Sequence, residues 1–215
     1  LYNLPEAAAL QKQLEQEYDD QAKAIAFRIP DFADKPDPAS AIDPARNPDG
    51  TAAPSDRIVL DFDFSRDDSG GKAIDASGLN NHGSAVNAPI IVGRPDRKAR
   101  LFDGKGSIDV PKAPSLDPKN RPWSVRAVVR ADAPDGIILA RGGRSEGYCL
   151  FVKAGLPSFA VTARNKTTTI TGTAPVTGKW VELVARIHAD KSVSLTVDDQ
   201  IAAKGQLPGF IAADP

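Results

Sequence analysis

The sequence predicts a mainly β protein, built as two antiparallel sheets packed into a sandwich. Between Ile58 and Lys204, short runs of alternating apolar and polar residues follow one another, each closed by a polar turn of Gly, Asn or Asp. Within each run the apolar residues recur with period two, so each has one face to bury, and two sheets set face to face bury them all. Helical periodicity is nearly absent from this stretch.

Taken in order, residues Glu6 to Ile25 predict a helix, because Leu10, Leu14, Tyr18, Ala22 and Ile25 recur every three or four positions and Pro5 suits a first turn. That stripe is narrow and its flanks acidic, so the helix needs a partner surface. Pro, Asp and Ala then dominate, with Lys35-Pro36-Asp37-Pro38 and Asn47-Pro48-Asp49-Gly50 as turn signals. The expected organisation is therefore a helical tail over 1–29, a linker over 30–55 and a β-domain over 56–215.

Inside the β-domain, Ile58, Leu60, Phe62 and Phe64 alternate with Asp61 and Asp63 as an opening strand. Trp123, Val125, Ala127 and Val129 form a second stripe, opposed by Ser124, Arg126 and Arg130. Val181, Leu183, Ala185 and Ile187 form a third, opposed by Glu182, Val184, Arg186 and His188, and Val193, Leu195 and Val197 a fourth. Trp123 is expected on the core face and Trp180, in parity with Glu182, partly exposed. Cys149 is expected as a buried core thiol.

Composition narrows the function. The chain has 215 residues, a 41% hydrophobic content and one cysteine, which excludes an internal disulfide and a cysteine-rich metal cluster. No apolar run is long enough to span a bilayer. With no Met and an opening at Leu1, the sequence reads as a piece of a longer precursor. Its net charge is −1, unevenly spread: residues 1–55 hold five Lys and Arg against ten Asp and Glu, leaving 22 against 18 in the β-domain. A balance of +4 favours an anionic ligand weakly and is no nucleic-acid signature.

Three stretches resemble laminin-G-like domains of the concanavalin-A-like jelly-roll superfamily: Asp75-Ala76-Ser77-Gly78 running to Asn80-Asn81-His82-Gly83; Leu101-Phe102-Asp103-Gly104 with Ile108 to Pro111; and Gly178-Lys179-Trp180 leading to Leu195 to Asp199. The resemblance covers about residues 56–204 and implies a jelly roll that binds rather than catalyses. A closing strand near the C-terminus of such domains pairs beside the opening one, so the domain is expected to be truncated. Leu1-Tyr2-Asn3-Leu4 and the helix after it resemble the end of a bacterial sulfatase catalytic chain. That implies a secreted, periplasmic or cell-surface parent whose catalytic domain lies upstream. Cys149, followed by Leu150-Phe151-Val152, departs from the Cys/Ser-x-Pro-x-Arg motif of that family.

Other chemistries find little support. His82 and His188 are the only histidines and no Gly-x-Ser-x-Gly elbow accompanies them; His82 is expected as a polar turn residue and His188 as solvent-facing. A strand of closely spaced catalytic carboxylates, as glycoside hydrolysis requires, does not occur; Asp61 and Asp63 suit an exposed or turn-capping pair. Gly142-Gly143-Arg144 and Gly104-Lys105-Gly106 open no helix and are expected as hairpin turns rather than phosphate cradles. Asn165-Lys166-Thr167 is a glycosylation sequon by form.

Two candidate sites remain. Through the laminin-G-like resemblance, Asp75 with Asp103 nearby would hold a structural Ca²⁺, although Asp75 capping its own turn explains the same residues. The other is the polar sheet face bearing Arg126, Arg130, Glu182 and Arg186, with loop residues Arg94, Arg97, Lys98, Arg141 and Arg144, whose guanidinium groups suit sulfate or carboxylate on a polysaccharide. Ordinary solvated charge is the competing account. The function expected is a non-catalytic carbohydrate-binding or accessory module of a secreted polysaccharide-processing enzyme of the sulfatase type; the alternative is a docking domain that packs on the catalytic domain and binds no glycan.

Overall fold

The computed structural model describes residues 58–67, 71–94, 97–143 and 145–212. The predicted helix and linker, and Arg144, lie outside the described residues. Strands dominate: β1 (Lys72–Ala73), β2 (Gly83–Val86), β3 (Ile90–Val92), β4 (Lys98–Arg100) and β5 (Ser107–Asp109) form a lobe of short pairings. Eight longer strands follow: β6 (Trp123–Arg130), β7 (Gly136–Gly142), β8 (Gly147–Lys153), β9 (Leu156–Ala163), β10 (Lys166–Thr171), β11 (Trp180–Ile187), β12 (Ser192–Val197) and β13 (Gln200–Gln206). They make two antiparallel four-stranded sheets, ordered β13-β12-β11-β6 and β10-β9-β8-β7.

The sandwich follows from the period-two stripes. Val181, Leu183, Ala185 and Ile187 of β11, with Val193 and Leu195 of β12, are buried against Leu150, Val152, Phe159 and Val161 of the facing sheet. Trp123 of β6 reaches across as expected, its ring 4.3 Å from that of Tyr148 and 6.0 Å from that of Phe159. At one side β10 and β13 close so tightly that a Cβ at Gly205 would lie 2.7 Å from Ile170 Cγ2.

Register is set by three two-residue hairpin loops in which both residues take positive φ: Ala154-Gly155, Arg164-Asn165 and Asp198-Asp199. Such turns carry the right-handed twist that flanking strands need. The Gly142-Gly143 turn is likewise a hairpin, joining β7 to β8, with Gly143 N–H donating to Glu146 O. Gly104 lies instead in a turn between β4 and β5, which belong to different sheets.

Two expectations fail here. Ile58 to Phe64 alternates like a strand but forms none. Its backbone is engaged by a turn instead: Asp61 N–H donates to Asp75 Oδ1, Asp61 O accepts from Ala76 N–H, and Val59 O accepts from Asn81 Nδ2. Phe64 has φ 57°, off the extended path. Cys149 is not in the core; it pairs with Ala140 and Ala160 on the outer side of β8, half-buried, and that burial pushes its thiol pKa up. Leu150, one residue later, takes the core position.

Candidate functional site

The outer face of the β13-β12-β11-β6 sheet gathers the polar residues that oppose the core stripes. Because directly opposed residues share a face, the register lays them out in rows. One row runs Ser124, Arg186, Ser194, Lys204 across all four strands; the next holds Arg126, Val184 and Thr196; beyond it, Val128 faces Glu182 and Arg130 faces Trp180. Arg126, Arg130, Glu182 and Arg186 are therefore on one face, as the sequence predicts.

Their charges are not equivalent. Arg126 donates to Glu182 Oε2 at 2.6 Å on the diagonal between strands, and Arg130 Nε donates to Asp132 Oδ1 at 2.9 Å. Asp61 also feels Arg126: burial raises its carboxyl pKa, Asp63 and Asp75 add to the rise, and Arg126 and Arg66 partly offset it. That half of the face is charge-balanced. Trp180 offers little stacking surface, since a Cβ at Gly93 would already sit 3.4 Å from its ring.

The row at the other end differs. Arg186 and Lys204 are exposed and make no ion pair among the described residues, and the hydroxyls of Ser124 and Ser194 lie beside them in register. His188 continues the corner, half-buried rather than freely solvated, with Nε2 2.9 Å from Ser194 Oγ. Sequence reasoning missed Lys204 and Ser194; the alternation of Lys204 with Ala203 and Gly205 marks its face only once β13 is known to pair with β12.

Arg141 stands apart. It belongs to β7 in the other sheet, paired with Tyr148, where it offsets the rise that burial causes in the Tyr148 pKa. A shallow depression of about 170 Å³ there is lined by Arg141, Tyr148 and small residues such as Gly147, Cys149 and Ala160. Arg94 and Arg97 flank the β3–β4 turn, and Lys98 Nζ donates to Ser65 O. Of the loop residues, Arg141 thus belongs to the other sheet and not to this face.

Asp75 and Asp103 both accept hydrogen bonds at their carboxylates. Asp75 is buried, and each carboxylate oxygen accepts two hydrogen bonds: Oδ1 from Asp61 N–H and Ser77 N–H, Oδ2 from Ser77 Oγ–H and Asn81 N–H. Burial works to raise its pKa, but these donors outweigh it and hold the carboxyl below its ordinary value. A hard cation wants six to eight oxygen ligands, about 2.3–2.6 Å away. Here N–H and O–H donors occupy those lone pairs, Asp103 Oδ1 accepts from Lys105 N–H, and no group of three or more acidic, His or Cys side chains suited to a metal occurs among the described residues. The donor set does not fit calcium. His82, in the same turn, accepts the Asp75 N–H at Nδ1, which makes it the turn residue expected.

No protein-family model and no curated protein sequence matches the chain. Solved structures do. The binding domain of Paraclostridial Mosquitocidal Protein 1 is similar at 17% identity and a TM-score of 0.60, over 74% of this chain and 43% of that one. The receptor binding domain of botulinum neurotoxin D is similar at 11% identity and 0.52, over 66% and 40%. Domains LG4-5 of the mouse laminin alpha1 chain align at 19% identity over 45% of this chain and 27% of that one, with a TM-score of 0.40. This chain thus spans under half the length of these solved chains. At such identities the likeness shows the fold, a β-sandwich shared with binding domains.

Proposed function

We propose that the chain is a non-catalytic binding module for anionic polysaccharide, sulfated polymers included, and that its contact surface is the Arg186 end of the β13-β12-β11-β6 face. The observation that carries this is the row Ser124, Arg186, Ser194, Lys204, in which two exposed cations with no ion pair among the described residues alternate with hydroxyls. Arg186 and Lys204 stand two strands apart, about 10 Å between backbones. Two long basic side chains close that distance onto one sulfate or carboxylate, and the hydroxyl between them donates to the same group. The sandwich fold shared with binding domains supports the reading. So does the sulfatase-like start of the sequence: such a module holds polymer beside an upstream active site and raises its effective concentration. A parent of that kind places the module in a secreted, periplasmic or surface protein. No helix among the described residues is long and apolar enough to cross a membrane.

Affinity electrophoresis of the full chain through sulfated and neutral polysaccharide is the test. The sulfated polymer should retard the protein, the neutral one should not, and retention should fall as salt rises. Arg186→Ala and Lys204→Ala should each release it, whereas Arg130→Ala, with its charge already met by Asp132, should change little. Equal retention by both polymers, or retention indifferent to Arg186 and Lys204, would favour the docking-domain alternative. Turnover of an aryl sulfate or nitrophenyl glycoside, abolished by a substitution in this chain, would overturn the non-catalytic assignment.

A further inference from the structure

We propose that His188 is a third ligand of the Arg186–Lys204 corner and makes its anion binding stronger as pH falls. The inference rests on the binding reading above and adds regulation to it. His188 ends the stripe that carries Arg186, and its backbone N–H donates to Ser192 O where β11 turns into β12. This places its ring over β12, with Nε2 2.9 Å from Ser194 Oγ. Ser194 is the hydroxyl that lies in register between Arg186 and Lys204.

Protonation changes that contact in two ways. A neutral imidazole accepts at one ring nitrogen, so Ser194 O–H can spend its proton on Nε2; an imidazolium donates at both nitrogens. With Nε2–H donating to Ser194 Oγ, the hydroxyl proton is released toward the ligand, and a third positive charge joins Arg186 and Lys204. Histidine is the side chain whose ordinary change of charge falls between about pH 5 and pH 8.

The surroundings do not cancel the effect. On β11 the neighbouring charge is Arg186 and on β13 it is Lys204; the β11–β12 turn contributes Lys191 and Asp190. Asp190 is the acid of that turn among the described residues, and it already accepts from Ser192 N–H at 2.8 Å. An anion over Ser194 therefore meets a cluster whose added charge is cationic.

The experiment is retention of the full chain on dextran sulfate, whose sulfate esters stay ionised throughout, at about pH 5.5 and about pH 7.5 under constant ionic strength. The wild type should bind about two- to fivefold tighter at the lower pH, the size of one exposed charge contact. His188→Gln, which keeps a partner for Ser194, should lose the gain at the lower pH. Ser194→Ala should shrink the gain. A pH response unchanged in His188→Gln overturns the inference and leaves the binding reading standing if Arg186→Ala and Lys204→Ala still abolish retention. Retention indifferent to those two substitutions overturns both.

Discussion

Two ion pairs divide this molecule. Arg100 and Asp67, in the lobe of short strands, have side chains 3% and 0% exposed; Arg126 and Glu182, on the sheet face, are 47% and 24% exposed. The buried pair is fully served: Arg100 Nε donates to Asp67 Oδ2 at 2.8 Å, its other nitrogens donate to Ala88 O and Lys72 O, and Asp67 Oδ1 accepts from Ile74 N–H at 2.7 Å. It ties the segment before β1 to β1, to the connection between β2 and β3, and to β4. In the exposed pair Arg126 donates to Glu182 Oε2 at 2.6 Å, and both side chains reach the surface. Taking charges out of water is costly, so only the first arrangement makes the partners depend on each other; a guanidinium at the surface can exchange its carboxylate for solvent or a ligand. The lobe uses charge to hold a fold with few strand ladders, and the sheet face keeps charge available.

Breaking the buried pair should have the largest effect. Asp67→Ala strands a buried guanidinium and should cost about 3–5 kcal/mol in urea unfolding. A loss below about 1 kcal/mol would mean that water reaches the pair and that the contrast between the regions is false.

The Asp75 turn comes next. Charged hydrogen bonds are worth about 1.5–3 kcal/mol each, and Asp75→Asn weakens several at once, so a loss of about 2–3 kcal/mol is expected. The sign with pH follows from the lowered carboxyl pKa: the wild type holds this stabilisation above the unfolded value near about 3.9 and loses it as pH falls through the lower folded value. Thermal melts from neutral pH into acid should therefore converge for wild type and Asp75→Asn. Millimolar calcium should leave the wild-type melting temperature where chelator does, because the four donors occupy the carboxylate; a rise that Asp75→Asn removes would reinstate a metal there.

The smallest effect belongs to the exposed pair. Glu182→Gln should change stability by less than about 1 kcal/mol, and less again at high salt. Its sharper consequence is for binding: removing the Glu182 charge should make the face more basic and tighten retention on sulfated polymer. Weaker retention instead would mean that Glu182 positions the ligand.

Much of the sandwich was legible before any coordinates. The stripes Trp123 to Val129, Val181 to Ile187 and Val193 to Val197 are local signals, and each buries the face it predicts. The same logic misled at Ile58 to Phe64, where alternation is present but the backbone has a turn for a partner. It misled at Cys149 too: parity with Phe151 was visible, but which parity faces the core depends on the other sheet. The candidate face was legible as a set of residues and not as a site, because Glu182 lies 56 positions from the arginine it neutralises.

By itself, then, the chain's sequence determined its class, its core stripes and the face that carries the arginines, since period two and side-chain polarity are properties of neighbours along the chain. Tertiary structure decided which charges remain available. Arg100 is locked to Asp67 across 33 residues, Arg126 is held by Glu182, and Arg186 comes level with Ser194 and Lys204 through the register of three strands. Coulomb attraction and hydrogen bonding act over a few ångströms of space whatever the separation in sequence, and only the folded register brings those partners within that reach.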